Sequence, residues 1–215
     1  MKPEERQQTV ERYAERLQRH GPVVQALGWR DQAQQELRFR VMADGLREFA
    51  NASVLDLGCG FGDLYHYLAG RAAGLRYVGC DISPDLLQVA RERHPQVQFD
   101  LRNVLDAPYP EQSFDYVFIS GMFNYRIEDN AAFLQQTLAA AYRMCARGIA
   151  ANMMTDQVDY RDEHLHYFSP ERVLRFCRTL SRRVALRHDY PLYEFTVFVY
   201  RDAGSPQLRR AKEEE

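Results

Sequence analysis

The period of the apolar positions changes near residue 50. Before it, Val10, Tyr13 and Leu17 recur at helical spacing, and so do Leu37, Val41, Leu46 and Phe49, which predicts two amphipathic helices. Gly21-Pro22 and Gly28-Trp29-Arg30-Asp31 punctuate them as turns. Beyond residue 50, short apolar runs alternate with helical stretches. Strands are expected at Val54–Leu57, Arg76–Cys80, Val97–Phe99, Phe114–Ser120, Gly148–Met153, Val184–Arg187 and Glu194–Tyr200, with helices through Leu64 and Leu68, after Ser83 and over 130–145. Ser83-Pro84-Asp85 and Ser169-Pro170-Glu171 share one helix-start grammar, a serine cap followed by proline in the first turn.

Alternation of this kind predicts an α/β fold of right-handed strand–helix–strand units: a Rossmann-like, seven-stranded, mostly parallel sheet with helices on both faces. Only residues 188–193 separate the last two runs, too few for a crossover helix, so the last strand is expected antiparallel. The expected organisation is an N-terminal helical lid over 1–50, a ligand-binding α/β domain over 51–202, and a polar, disordered tail over 203–215.

The first expected strand runs into Val54-Leu-Asp-Leu-Gly-Cys-Gly-Phe-Gly-Asp63. Glycines at a strand-to-helix turn permit a tight backbone path and close approach of a ligand. In open α/β sheets ligands sit beyond the carboxyl ends of the strands, where this loop falls. The dinucleotide pattern G-x-G-x-x-G would place its third glycine where Asp63 stands. A carboxylate at that helix start repels a pyrophosphate, so the ligand is expected to lack one.

The stretch Val54–Gly62 resembles the first motif of the class I S-adenosyl-L-methionine (SAM)-dependent methyltransferases, and the likeness extends from Val54 to Tyr200. The resemblance implies SAM as cofactor and S-adenosyl-L-homocysteine (SAH) as product. It also implies a glycine floor of Gly58, Gly60 and Gly62 under the methionine part, with Asp56 near its ammonium group. Asp81, about twenty residues after the glycines, would accept the ribose hydroxyls and Ile82 would flank the adenine. Aligning Pro108-Tyr109-Pro110 with the family's third element places Asn103 at the adenine amino group, with Asp106 as competitor. An amide oxygen accepts from that amine where many relatives carry Asp. The Val104 N–H would reach a ring nitrogen, and Ser120 ends the fourth strand beside the cofactor. Arg38 or Gln35 is expected at the SAM carboxylate. Three further stretches, LGW…RF, SGMFN and RHDYPLYEFTV, mark a bacterial subgroup and give no acceptor.

A sulfonium leaves as a neutral thioether, so methyl transfer mainly requires in-line placement, exclusion of water and, for some acceptors, removal of a proton. Acceptor-side candidates therefore come from the ends of the later strands: Asn124 and Tyr125; Asn152, Asp156, Tyr160, His164 and His166; and His188, Asp189, Tyr190 and Glu194. Tyr125, His164 and His188 are the expected catalytic residues. The fourth strand lacks the N/D-P-P-Y/F pattern of amide- or amino-nitrogen enzymes and the Pro-Cys nucleophile of cytosine-C5 enzymes.

Composition narrows the reading. The chain has 215 residues with a formal net charge of −2, room for one sizeable core and no overall pull toward nucleic acid. Arg172, Arg175, Arg178, Arg182, Arg183 and Arg187 form the local exception, read first as a solvated helix face. No apolar run approaches the roughly 20 residues of a membrane span, and the acidic, charged first residues are unlike a secretory signal. A cytoplasmic setting is expected. Cys59, Cys80, Cys145 and Cys177 lie far apart with no CxxC, which suits buried, reduced thiols. No His/Asp cluster has metal-ligand spacing. The expected activity is transfer of the SAM methyl group to an oxygen or nitrogen of a small molecule, by a monomer or homodimer. RNA or protein methylation, and SAM binding without catalysis, are the alternatives.

Overall fold

The strand order places a crevice at one rim of the sheet. A computed structural model describes residues 1–46 and 48–201; the expected tail over 203–215 lies outside the described residues. The strands are β1 (Ser53–Leu57), β2 (Arg76–Asp81), β3 (Gln98–Leu101), β4 (Phe114–Ile119), β5 (Cys145–Met154), β6 (Val184–Arg187) and β7 (Glu194–Tyr200). They form one seven-stranded sheet in the order β3-β2-β1-β4-β5-β7-β6. β1 pairs in parallel with both β2 and β4, so the order reverses at β1. Ligand crevices form at that switch point, outside the strand ends. β7 runs antiparallel to both β5 and β6, as the short 188–193 connection requires.

Strand periodicity divides the core. Leu55, Leu57, Val117, Ile119, Ile149 and Val197 pack on one face with Leu134 and Leu138 of α5 (Asn130–Met144) and Val173 and Cys177 of α6 (Pro170–Leu180). On the other face, Val54, Tyr77, Tyr116, Phe118 and Phe198 meet α2 (Gln32–Leu46), α3 (Asp63–Ala69) and α4 (Pro84–Arg93). Fully buried side chains such as Leu55 and Phe118 each contribute about 1.5–3 kcal/mol by leaving water. Ser83 and Ser169 cap α4 and α6 through their hydroxyls, which holds the loops before them at the rim.

Several strand ends shift by a residue or two from the sequence reading, β3 to Gln98–Leu101 among them, and two boundaries shift for a tertiary reason. The second N-terminal helix ends at Leu46, and Phe49 packs instead against Tyr116 and Phe118, its ring centroid 5.2 Å from that of Tyr116. Glu48 and Asn51 take positive φ there, which a helix cannot continue through. β5 begins at Cys145, directly after α5, because Cys145 is already extended and pairs with Phe114. The first helix, α1 (Pro3–His20), buries no residue completely. Its Tyr13 and Leu17 cover a small cluster of Ala26, Phe61 and Leu86 at the rim, so α1 closes over the sheet's carboxyl edge.

Candidate active site

The glycine loop is held by the end of the neighbouring strand. Gly58 and Cys59 donate their N–H groups to the Cys80 carbonyl at 2.8 and 3.1 Å. Gly60 donates to Asp81 Oδ2 at 3.0 Å, while Ser83 donates to Asp81 Oδ1 at 2.9 Å. Asp81 thus ties the loop after β1 to the helix start after β2, a role that sequence spacing did not reveal. Gly58, Gly60 and Gly62 have φ of +73°, +53° and +77°, a region L-residues enter only at a cost. A Cβ on Gly60 would stand 3.1 Å from Leu27, and one on Gly62 would press on Phe99 at 2.9 Å. The three glycines therefore answer to backbone shape and to close packing at once.

The cavity above this loop is lined by Asp56, Gly58, Gly60, Asp81, Ile82, Asn103, Val104, Ser120 and Tyr125. Gly62 is not among the lining residues; it turns the chain into α3. From the N-terminal region come Met1, Arg6, Thr9, Tyr13, Leu27 and Trp29, a wall only loosely foreshadowed by the expected lid. Tyr13 and Tyr125 meet edge-on at 5.9 Å, and Arg12 stacks over Tyr125 at 4.3 Å. Burial, with Tyr125 and Asp81 nearby, pushes the Tyr13 hydroxyl well above its ordinary range.

Asp56 is 3% exposed and accepts a 2.5 Å hydrogen bond from the Tyr77 hydroxyl. Burial raises its pKa to about 7, the Tyr77 bond opposes that shift, and the charges of Asp81 and Asp63 add to it. Burial also raises Asp81, against the N–H groups that favour its charged form. Carboxylates held this way are poised to gain from a cation in the cavity. Asp63 accepts from Gln35 Nε2 at 2.9 Å and from Arg93 at 3.0 Å, binding α2, α3 and α4 together.

Arg38 does not present a free guanidinium. Its Nε and Nη2 grip Glu194 in a buried ion pair, with Nε–Oε2 at 2.9 Å. Asn152 Nδ2 donates to the same carboxylate at 2.9 Å, and its Oδ1 accepts from the Gly121 N–H at 2.8 Å. Trp29 lies over the guanidinium at 4.2 Å. Among the described residues, Arg38 Nη1 and Ser120 Oγ are buried with no hydrogen-bond partner. This network fixes the loop after β4 and the tryptophan wall, so Asn152 and Glu194 serve as supports.

The expected catalytic residues separate. Tyr125 lines the cavity. His164 does not: its side chain is 75% exposed beside Glu163. The cause is a backbone bridge between Tyr125 and Leu165, with Arg126 N donating to the His164 carbonyl and His166 N to that of Asn124. Cross-strand partners share a face and their neighbours take the other, so Tyr125 and Leu165 share one side and the two histidines the opposite one. His166 packs edge-on to Phe168 at 4.4 Å, and burial with Arg126 and Arg161 holds its pKa low. His188 is exposed beyond β6, against Phe195 at 6.0 Å, and is not among the lining residues. Tyr190 bonds to Thr196, Asp189 to Arg187, and Tyr160 is 80% exposed. The four cysteines are free and buried. Among the described residues no group of His, Cys, Asp or Glu stands close enough to hold a metal ion, and no helix is long and apolar enough to cross a membrane.

A glycine floor, an acid at the end of β2 and an open crevice at the switch point define a nucleoside-binding α/β fold of the methyltransferase type. The comparisons carry this further. The family profile described as "Methyltransferase domain" matches residues 54–148. The chain is 36% identical over 158 residues to a protein of Mycobacterium tuberculosis H37Rv named Putative methyltransferase Rv1506c, covering 68% of this chain and 92% of that one. The demethylmenaquinone methyltransferase of Thermus thermophilus is 37% identical over 118 residues, and the chain spans 51% of its length. The SAH-bound magnesium protoporphyrin IX methyltransferase of Synechocystis shares the fold, with a TM-score of 0.59 at 15% identity over 79% of this chain and 82% of that one. The chain belongs to the class I SAM-dependent methyltransferases, and SAM is its cofactor. The cavity suits that group, since its lining sets the carboxylates of Asp56 and Asp81 and the backbone of Gly58 and Gly60 around a ligand that carries a sulfonium and an ammonium.

Proposed function

We propose that this methyltransferase moves the SAM methyl group to an oxygen or nitrogen of a small molecule held beneath α1. The observation that supports this most is the cavity itself, where Met1, Tyr13 and Trp29 of the N-terminal region face Met122, Tyr125 and Ile127 beyond β4. Such a wall admits a compact, partly apolar acceptor and excludes water from it. The name of the Thermus relative points to a small-molecule acceptor as well.

In this reading Asp81 receives the ribose hydroxyls, Ile82 and the Val104 N–H border the adenine, and Asn103 accepts from its amino group. Asp56 and the loop of Gly58 and Gly60 hold the methionine end, with Ser120 and Gln35 beside it. SAM supplies a methyl group on a sulfonium whose departure leaves a neutral thioether. The chain's contribution is placement: Tyr125 orients the acceptor through its hydroxyl and ring, while Trp29 and Met122 keep solvent out. Isothermal calorimetry with SAH, then a methylation screen of small carboxylates, phenols and amines followed by mass spectrometry, tests the reading. SAH binding with a product about 14 Da heavier than its acceptor supports it; SAH binding without any small-molecule product transfers the case to the alternatives. Among those, methylation of RNA or protein draws on the exposed Arg172, Arg175, Arg178, Arg182 and Arg183. A polyanion bound there would lose affinity steeply with salt.

A further inference from the structure

We propose that Arg6 of the lid helix is a positioning residue for base recognition, acting through Asp106 to fix the orientation of the Asn103 amide. The inference rests on the reading that adenine lies against Asn103. It begins with two hydrogen bonds that agree. Asn103 Nδ2 donates to Asp106 Oδ2 at 2.9 Å, and Asn103 Oδ1 accepts from the Leu105 N–H at 3.1 Å. A carboxylate takes only a donor and a backbone N–H takes only an acceptor, so both neighbours force the same amide orientation.

The amide oxygen keeps a second lone pair for the base, while one amide hydrogen is committed to Asp106. Adenine presents an amino donor at its six position; hypoxanthine presents an oxygen there. An amide locked in this orientation favours the former and opposes the latter. Asp106 is thus the orienting group, which accounts for why two candidates of similar chemistry stand three residues apart.

Asp106 is itself held from the lid helix. Arg6 Nη1 meets Asp106 Oδ2 at 2.5 Å, the same oxygen that receives the Asn103 amide. Arg6 lies on α1, which is latched nearby by Lys2 on Glu128 at 2.5 Å and by Glu5 accepting from the Glu128 N–H at 2.6 Å. With α1 in place, the guanidinium neutralises Asp106 and draws it into line. With α1 displaced, Asp106 loses that tether and the Asn103 amide is free to turn. Closure of the lid and choice of base are therefore linked through three side chains, of which Asn103 and Arg6 line the cavity and Asp106 does not.

Calorimetry with SAH and with its hypoxanthine counterpart, S-inosylhomocysteine, tests the linkage at low and at raised salt. The full chain should prefer SAH by tenfold or more, and Asn103→Ala should remove most of that preference. Arg6→Gln and Asp106→Ala should each reduce the preference several-fold, Arg6→Lys should restore part of it, and raised salt should erode it in the parent but not in Arg6→Gln. No binding of SAH, or equal binding of both ligands by the parent, overturns the placement of adenine at Asn103. A parent preference that is lost in Asn103→Ala but unchanged in Arg6→Gln and Asp106→Ala overturns the linkage alone. Circular dichroism and unfolding midpoints of each variant establish that a change in preference is not a change in folding.

Discussion

Asp56 offers the sharpest test because its burial works against the fold that contains it. Its pKa is raised to about 7 from an ordinary 3.8, chiefly by burial. The folded pKa lies above the unfolded one, so the folded chain keeps a proton that the unfolded chain gives up. The stability from this group is full below about pH 4 and is lost as pH rises through about 7. A gap of about three pH units corresponds to at most about 4 kcal/mol withheld from the folded chain at pH 8. Asp56→Asn keeps an acceptor for the Tyr77 hydroxyl and removes the charge. The variant should therefore be more stable than its parent at pH 8, by about 1–4 kcal/mol, and the gain should shrink toward zero near pH 4. Urea unfolding of the ligand-free chain between pH 4.5 and 8, with m unchanged, measures it. If the variant matches the parent at every pH, or is weaker at pH 8, burial of the Asp56 charge does not oppose folding.

The same substitution should cost function. A cationic ligand end beside Asp56 favours the ionised form, so ligand binding to the parent expels a proton below pH 7. SAH affinity should weaken by up to about tenfold per pH unit as pH falls below 7. In Asp56→Asn that slope should flatten, and affinity at pH 8 should drop. Asp81 is raised in the same direction, so some slope will persist in the variant. A variant that binds as tightly as the parent at pH 8 would remove Asp56 from the methionine end.

Other consequences are more local. Gly60→Ala places a side chain at φ +53° and 3.1 Å from Leu27; thermal unfolding should show a loss of about 1–2 kcal/mol, and calorimetry weaker SAH binding. Glu194→Ala strands the Arg38 guanidinium in the core, where both residues are 5% exposed, and chemical unfolding should record a loss of about 3–5 kcal/mol. The Arg38→Met/Glu194→Met pair should recover most of it, and failure to recover would mean the contact itself, not the stranded charge, set the cost. Once an acceptor is found, Tyr125→Phe should lower turnover with SAH affinity retained, while His164→Ala and His188→Ala should leave both unchanged. A large loss of turnover in either histidine variant would show that its loop reaches the cavity.

The parts of this protein legible in its sequence are those set by short-range rules. Short apolar runs and serine-proline helix starts located the strands and caps, because burial on both faces and an orphan N–H need few residue types to satisfy them. Val54–Gly62 was legible for a different reason: three successive turns through positive φ leave little choice but glycine. The boundaries that moved, at Leu46 and Cys145, are places where a tertiary contact decides. Phe49 continues the helical period yet packs on Tyr116, and Cys145 is claimed by Phe114.

The acceptor side shows what strand position alone specifies. A residue following a strand's carboxyl end reaches the rim, but the facing of its side chain depends on what its loop pairs with. Asn124, Tyr125 and His164 all follow such ends, and the Tyr125–Leu165 bridge turns the tyrosine inward and the histidine outward. Pairing across forty residues has no local signature, so alternation could be applied to it only once the partner was known. The same logic explains Arg38, whose apparent freedom in sequence ends at Glu194, 156 residues away. The guanidinium end of that pair lies under Trp29, part of the wall proposed to receive the acceptor. Substitutions that reshape specificity are therefore expected at Trp29, Met122 and Tyr125, which face the cavity, and not at Asn152 or Glu194, which hold those walls in place.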